Sequence, residues 1–184
     1  HRLQGHKMTD PTVISPVKLA HIVIRTPRYA DSIAWWSTVL GAEVRHQNDF
    51  LCFLTYDDEH HRLAIVSMPH LVENDRKAAG LEHVAFTHAD LDALLSTYER
   101  LAKQGIMPIA PIHHGMTLSM YYADPDGNQV ELQVDAMNPA EAEAFMAGDV
   151  FAANPIGIKF DPADLVARRA GGESVESLLD YAAL

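Results

Sequence analysis

The sequence predicts an α+β fold in which two βαβββ modules form a curved mixed sheet around a cleft, with a C-terminal helical tail. Three observations carry the fold. "LAHIVIRT" (19–26) and "LEHVAFTH" (81–88) are rich in β-branched and aromatic residues, as buried strands are. Each leads into a segment of helical spacing that stops at a glycine, Gly41 or Gly105, and then into three short strand-like runs. His21 lies 20 residues before Gly41 and His83 lies 22 before Gly105, so one pattern is written twice. Two copies at a period of about sixty residues are too few and too long for a solenoid, and fit a duplicated pair of modules.

In chain order, residues 1–17 form a polar, proline-bearing leader, of which His1–Lys7 read as added residues ahead of a native Met8. The first module covers 18–70. Its helix, "YADSIAWWSTVLGAE", sets Ile33, Trp36, Val39 and Leu40 on one stripe. Strands are expected at Ala42–His46, Phe50–Tyr56 and His61–Met68, with Asn48-Asp49 and Asp57-Asp58 as turn residues. After a linker, "PHLVENDRKAAG", the second module covers 80–135. Its helix, "ADLDALLSTYERLAKQG", has Asp90 as N-cap, and the strands "IMPIAPIH", "LSMYYAD" and "NQVELQVD" follow, the last two joined by Asp124-Pro125-Asp126-Gly127. The extension, 136–184, carries a helix at Pro139–Met146, a loop "NPIGIKFDP" and a helix from Ala163, packed on the sheet or on a partner subunit.

Bulk properties narrow the function. The 184 residues are 48% apolar and 21% charged, a globular composition. A formal net charge of −11 argues against a nucleic-acid partner and gives no polybasic attraction to a membrane. No apolar run has the length of a membrane span, and the leader lacks the apolar core of a signal peptide. One cysteine, Cys52, forms no intrachain disulfide and suits a reducing, cytoplasmic setting.

Alternation along "NQVELQVD" puts Gln129, Glu131 and Gln133 on one face and Val130, Leu132 and Val134 on the other. Glu131 therefore belongs to a consistently polar face. His21 and His83 occupy equivalent places at the centres of the two first strands. Taken singly, each reads as a satisfied core histidine. Taken with a strand carboxylate, two imidazoles form the facial triad that binds a divalent metal, notably non-haem Fe(II). The remaining aromatic and polar residues have plainer readings. Trp35 and Trp36 pack the helix, Tyr122 faces the core, Asp124–Gly127 make a turn, and His46, His60, His70 and His88 are solvated.

The duplicated module over 18–135 resembles the vicinal oxygen chelate superfamily, which includes glyoxalase I and the type I extradiol dioxygenases. The resemblance implies His21, His83 and Glu131 as metal ligands. Glyoxalase I takes a fourth ligand, a Glu on the last strand of the first module. Counting 26 residues past Gly105 reaches Glu131, and the same count past Gly41 reaches Ser67, within the acid-free run "RLAIVSMP". The extradiol signature is matched more densely: "IHHGMTLSMYYADPDGNQVE" supplies His114, Met120-Tyr121, Asp124-Pro125, Gly127 and Glu131. "EHHRLAIV" resembles the His-His pair of those enzymes and implies His61 as catalytic base. His114 and Tyr121 become the groups that handle the substrate proton, with His113 as the alternative to His114. The implied reaction is extradiol cleavage of a catechol-type aromatic diol with O2, on Fe(II), Mn(II) suiting the same ligands, in a homodimer or larger assembly. Another metal enzyme of the superfamily, a glyoxalase-like lyase or thiol transferase, and a non-catalytic aromatic-ligand binding module are the alternatives.

Overall fold

The structure is a computed structural model that describes residues 12–184; the reading of His1–Lys7 as added residues lies outside them. The first module runs β1 (Ile22–Thr26), α1 (Tyr29–Leu40), β2 (Glu43–Gln47), β3 (Leu51–Thr55) and β4 (Leu63–Ser67). The second runs β5 (Val84–Thr87), α2 (Leu91–Ala102), β6 (Ala110–His113), β7 (Thr117–Ala123) and β8 (Gln129–Asp135). The same five elements thus occur twice in the same order. The tail adds α3 (Pro139–Met146), α4 (Asp149–Ala153), β9 (Ile158–Lys159), α5 (Pro162–Ala170), α6 (Val175–Leu179) and a closing 3₁₀ turn (Tyr181–Ala183).

The helices form for local reasons. In α2 the Asp90 side chain accepts a hydrogen bond from the Ala93 N–H, and Leu91, Leu94, Leu95, Tyr98 and Leu101 make one buried stripe. Chain exit from α1 needs a left-handed residue, and Gly41 supplies it at φ 60°, its N–H bonding the Ser37 and Thr38 carbonyls. Asn138 and Glu141 close a reciprocal capping box that starts α3.

The strands make two mixed sheets, ordered β1-β4-β3-β2 and β5-β8-β7-β6-β9. Each module's first strand pairs parallel with its last: Ile22 opposite Leu63 in one, Val84 opposite Val130 in the other. Three expectations change. "NPIGIKFDP" is not wholly loop, because β9 within it pairs antiparallel with β6 (Ile158 opposite His113) and extends the second sheet. His21 and His83 stand one residue before their strands rather than at the centres. Register then makes Ala64, not Ser67, the counterpart of Glu131. Val23, two residues after His21, pairs with Ala64, and Ala85, two after His83, pairs with Glu131.

One face of each sheet is buried under the helices, with Leu54, Leu63 and Ile65 from the first module and Met120, Tyr122, Val130 and Leu132 from the second. The modules are clasped together by the β7–β8 turn. Asp124 Oδ1 accepts from the N–H groups of Asp126 (2.9 Å) and Asn128 (2.7 Å), which shapes the turn. Its Oδ2 accepts from Asn128 Nδ2 (3.0 Å) and, across the module boundary, from the fully buried Trp36 Nε1 (3.1 Å). Asp126 reaches the same module through Thr26 Oγ1 (2.5 Å) and Arg28 Nη1 (2.7 Å). Asp-Pro-Asp-Gly is therefore a tie between modules as well as a turn.

Candidate metal and acid–base site

Pleating decides which side chains meet on the second sheet. Tyr121 pairs with Glu131, and Glu131 with Ala85, so all three share the face opposite the core. His83 lies two residues before Ala85, and His114 lies two after Ile112, which pairs with Ser119 on that same face. Four candidate side chains converge there: His83 just before β5, His114 just after β6, Tyr121 on β7 and Glu131 on β8. Glu131 is 5% exposed, although its neighbours on that face are not core residues. His83 Nε2 lies 3.0 Å from Glu131 Oε2. His114 Nε2 lies 2.9 Å from the Tyr121 hydroxyl and 3.7 Å from Glu131 Oε1, the latter beyond hydrogen-bond reach. Burial, and then the Glu131 carboxylate, push the Tyr121 phenol well above its ordinary pKa, so it stays protonated across neutral pH.

A second cluster belongs to the first module. The His21 and His61 rings are 4.2 Å apart, and His61 stacks on Phe53 at 4.3 Å with an interplanar angle of 11°. His60 Nδ1 meets His61 Nδ1 at 2.5 Å, so one of the two carries the shared proton. Burial, and then the neighbouring His21 and His60, lower the His61 pKa, which favours a neutral imidazole able to accept a proton. Phe53, the stacking platform for His61, was not singled out from the sequence; its alternation in "LCFLT" with buried Cys52 and Leu54 is the signal that places it on this face.

Sequence left His113 and His114 as alternatives, and their surroundings differ sharply. His113 is fully buried, its Nε2 donates to the Leu179 carbonyl (2.9 Å), and its Nδ1 accepts from the Gly115 N–H (3.0 Å). Both ring nitrogens are spent on backbone, and the ring faces Tyr181 of the tail. The alternation of β6 sends His113 away from Glu131 and His114 toward it. His46, His60 and His70 are exposed as expected, whereas His88 is half-buried and burial lowers its pKa.

The donor set suits a divalent metal. Glu131 is a buried carboxylate whose ion-pair partners among the described residues are the histidines His83 and His114, with no Lys or Arg beside it. An imidazole and a carboxylate already face each other there, the chemistry that Fe(II) or Mn(II) takes. The third predicted ligand, His21, stands with His61 instead, and among the described residues no three His, Cys, Asp or Glu side chains are gathered tightly enough to hold an ion. A cleft of about 560 Å³ opens along the seam between β1 and β5, lined by Ile22, Ile24, the 71–82 linker and His83, and it reaches the cluster only through His83.

Paired βαβββ modules with an imidazole–carboxylate cluster on the uncovered sheet face define the class of α+β protein to which the chain is to be compared. The chain belongs to the Glyoxalase/Bleomycin resistance protein/Dioxygenase superfamily, whose family model matches residues 18–132. It is 43% identical over 167 residues to biphenyl-2,3-diol 1,2-dioxygenase 2 of Rhodococcus globerulus, covering 90% of this chain and 88% of that protein. Biphenyl-2,3-diol 1,2-dioxygenase 3 of the same organism is 42% identical over 158 residues, covering 84% and 83%. In fold, a glyoxalase/dioxygenase from Nostoc punctiforme matches with a TM-score of 0.56 at 18% identity, covering 67% of this chain and 97% of that one. Among the described residues no helix is long and apolar enough to cross a membrane.

Proposed function

We propose that the chain is an extradiol ring-cleavage dioxygenase that inserts both atoms of O2 into an aromatic vicinal diol, giving a ring-opened semialdehyde or keto acid. The observation that carries this reading is the His114–Tyr121 hydrogen-bonded pair set beside Glu131 and His83 on one sheet face. The names of the two Rhodococcus relatives supply the substrate class. A glyoxalase-like lyase is disfavoured because Ala64 occupies the place where a fourth carboxylate would stand.

His21, His83 and Glu131 are the proposed ligands of Fe(II), with Mn(II) suited to the same donors. When bound, the metal supplies Lewis acidity that lowers the pKa of a coordinated diol hydroxyl. Neutral His61, on its Phe53 platform, accepts the second diol proton, and its protonated form then stabilises nearby negative charge. His114 and Tyr121 hydrogen-bond the substrate oxygen on the opposite side, take the first proton that the diol loses, and return it as the ring opens. The seam cleft beside His83 is the proposed way in for the diol. We place the enzyme in a reducing cytoplasm, as its one cysteine is a free, buried thiol, and as a homodimer or larger.

The test is anaerobic loading with Fe(II), then addition of catechol or a 2,3-dihydroxybiphenyl in air-saturated buffer. Stoichiometric O2 uptake with a new yellow absorbance is expected. A protein that holds the metal yet consumes no O2 across a panel of vicinal diols is not this enzyme. A protein that never retains a divalent metal is a binding module.

A further inference from the structure

The tail is needed at the site for a reason that the two modules alone do not supply. His114 Nδ1 meets the backbone carbonyl of Ile156, a residue of the turn that precedes β9. A carbonyl oxygen only accepts hydrogen bonds, so the proton of a neutral His114 sits on Nδ1. Nε2 is then a bare lone pair, 2.9 Å from the Tyr121 hydroxyl, and the phenol O–H donates to it. We propose that the turn Asn154–Gly157 is a positioning element which, through the Ile156 carbonyl, sets the His114 tautomer and aims its basic nitrogen at Tyr121. The proposal rests on the dioxygenase reading for the use made of that nitrogen, but not for the tautomer itself.

The turn is built to hold that carbonyl still. Asn154 Oδ1 accepts from the N–H groups of Ile156 (3.3 Å) and Gly157 (3.0 Å), while Asn154 Nδ2 donates to the Gly157 carbonyl (2.9 Å). One side chain thus pins both peptide units that flank the Ile156 carbonyl. Gly157 has φ +118°, and a Cβ placed there would lie 2.2 Å from the His113 carbonyl oxygen. The turn therefore lies directly against the His113-His114 backbone, and β9 zips it there through the Ile158–His113 pairing. Ile156 itself is 63% exposed, so its side chain is not what the arrangement uses. In the opposite tautomer Nδ1 would present a lone pair to a carbonyl lone pair, and Nε2–H would compete with the phenol proton. The turn removes that state.

Nitrogen-15 NMR of the full chain, kept free of transition metal, reads the tautomer directly, with the His114 signals assigned by their loss in His114→Gln. A pyrrole-like shift at Nδ1 and a pyridine-like shift at Nε2 are expected. Asn154→Ala should move both toward the average of a mixed population, and Asn154→Asp, which keeps the acceptor oxygen, should restore most of the wild-type pattern. In the Fe(II)-loaded enzyme Asn154→Ala should lower kcat by about tenfold or more with KM nearly unchanged, a share of the ~10²–10⁴ that acid–base groups supply. Gly157→Ala should act in the same direction, and Asn154→Ala carries the test if that variant does not fold. A wild-type His114 with its proton on Nε2 overturns the proposal, as does an Asn154→Ala protein with unchanged shifts and unchanged kcat. An enzyme that shows the expected tautomer but cleaves no diol leaves the positioning intact and sinks the dioxygenase reading instead.

Discussion

Replacing Trp36 by phenylalanine removes a single hydrogen-bond donor and part of one ring from the junction between the modules. The indole is fully buried, edge-on to Trp35 and Phe86, and its N–H is the donor from the first module to Asp124. A hydrogen bond to a charged acceptor contributes about 1.5–3 kcal/mol. Asp124 keeps three donors within its own turn, which places this loss near the lower end. The smaller ring leaves a void costing about 1 kcal/mol more. The sum is about 2.5–4 kcal/mol, and for a chain of this length each kcal/mol moves Tm by about 2–4 °C. Differential scanning calorimetry should therefore show a fall near 10 °C. Trp35→Phe, at a half-buried ring beside it, should cost less than about 1 kcal/mol. A double-mutant cycle with Asp124→Asn should return a coupling of about 0.5–3 kcal/mol. Equal losses at Trp35 and Trp36, or a cycle that closes to zero, would refute the clasp.

Stability should also fall with acidification. His113 is buried and His88 half-buried, and the pKa of each is lowered, chiefly by burial. Both are neutral when folded but take a proton in the unfolded chain near pH 6.5, so stability is lost as pH falls through that value and below. Urea melts between pH 7.5 and 5 check this, and His113→Asn should flatten part of the slope. Glu131→Gln should abolish most Fe(II) retention after desalting, read by metal analysis, because it removes the one carboxylate of the donor set. His61→Ala should keep metal and substrate binding yet lose about 10²-fold or more in kcat, as expected for a general base; full turnover in that variant would remove His61 from the mechanism.

The duplicated module was legible because its signals are local: two alike strands, two helices of clear period, two stop glycines. Glu131 was legible for the same kind of reason, since strict alternation with Val130 and Leu132 fixes its face. What was hidden depends on pairing. His113 and His114 differ only by the parity of β6, and parity follows from register with β7, which no single strand states. The counterpart of Glu131 was misassigned to Ser67 by counting along the chain, because the hairpins of the two modules differ in length; the parallel ladders give Ala64. β9 has two residues and no periodicity, and exists because β6 offers it a free edge. The Ile156 carbonyl carries no side-chain signature at all. His21, expected among the metal ligands, lies in a tilted ring contact with His61, a neighbour that no local pattern announces.

The far ends of the two sheets are finished in different ways. β9 covers the β6 end with a strand from the same chain. β2, at the end of the first sheet, is exposed along its whole length, carries Glu43 and Arg45, and breaks register between Val44 and His46. A charged, bulged border is a poor template for a foreign strand, and a covered one offers none. Strand addition by another copy, and with it open-ended growth into fibres, is therefore discouraged at both of these borders.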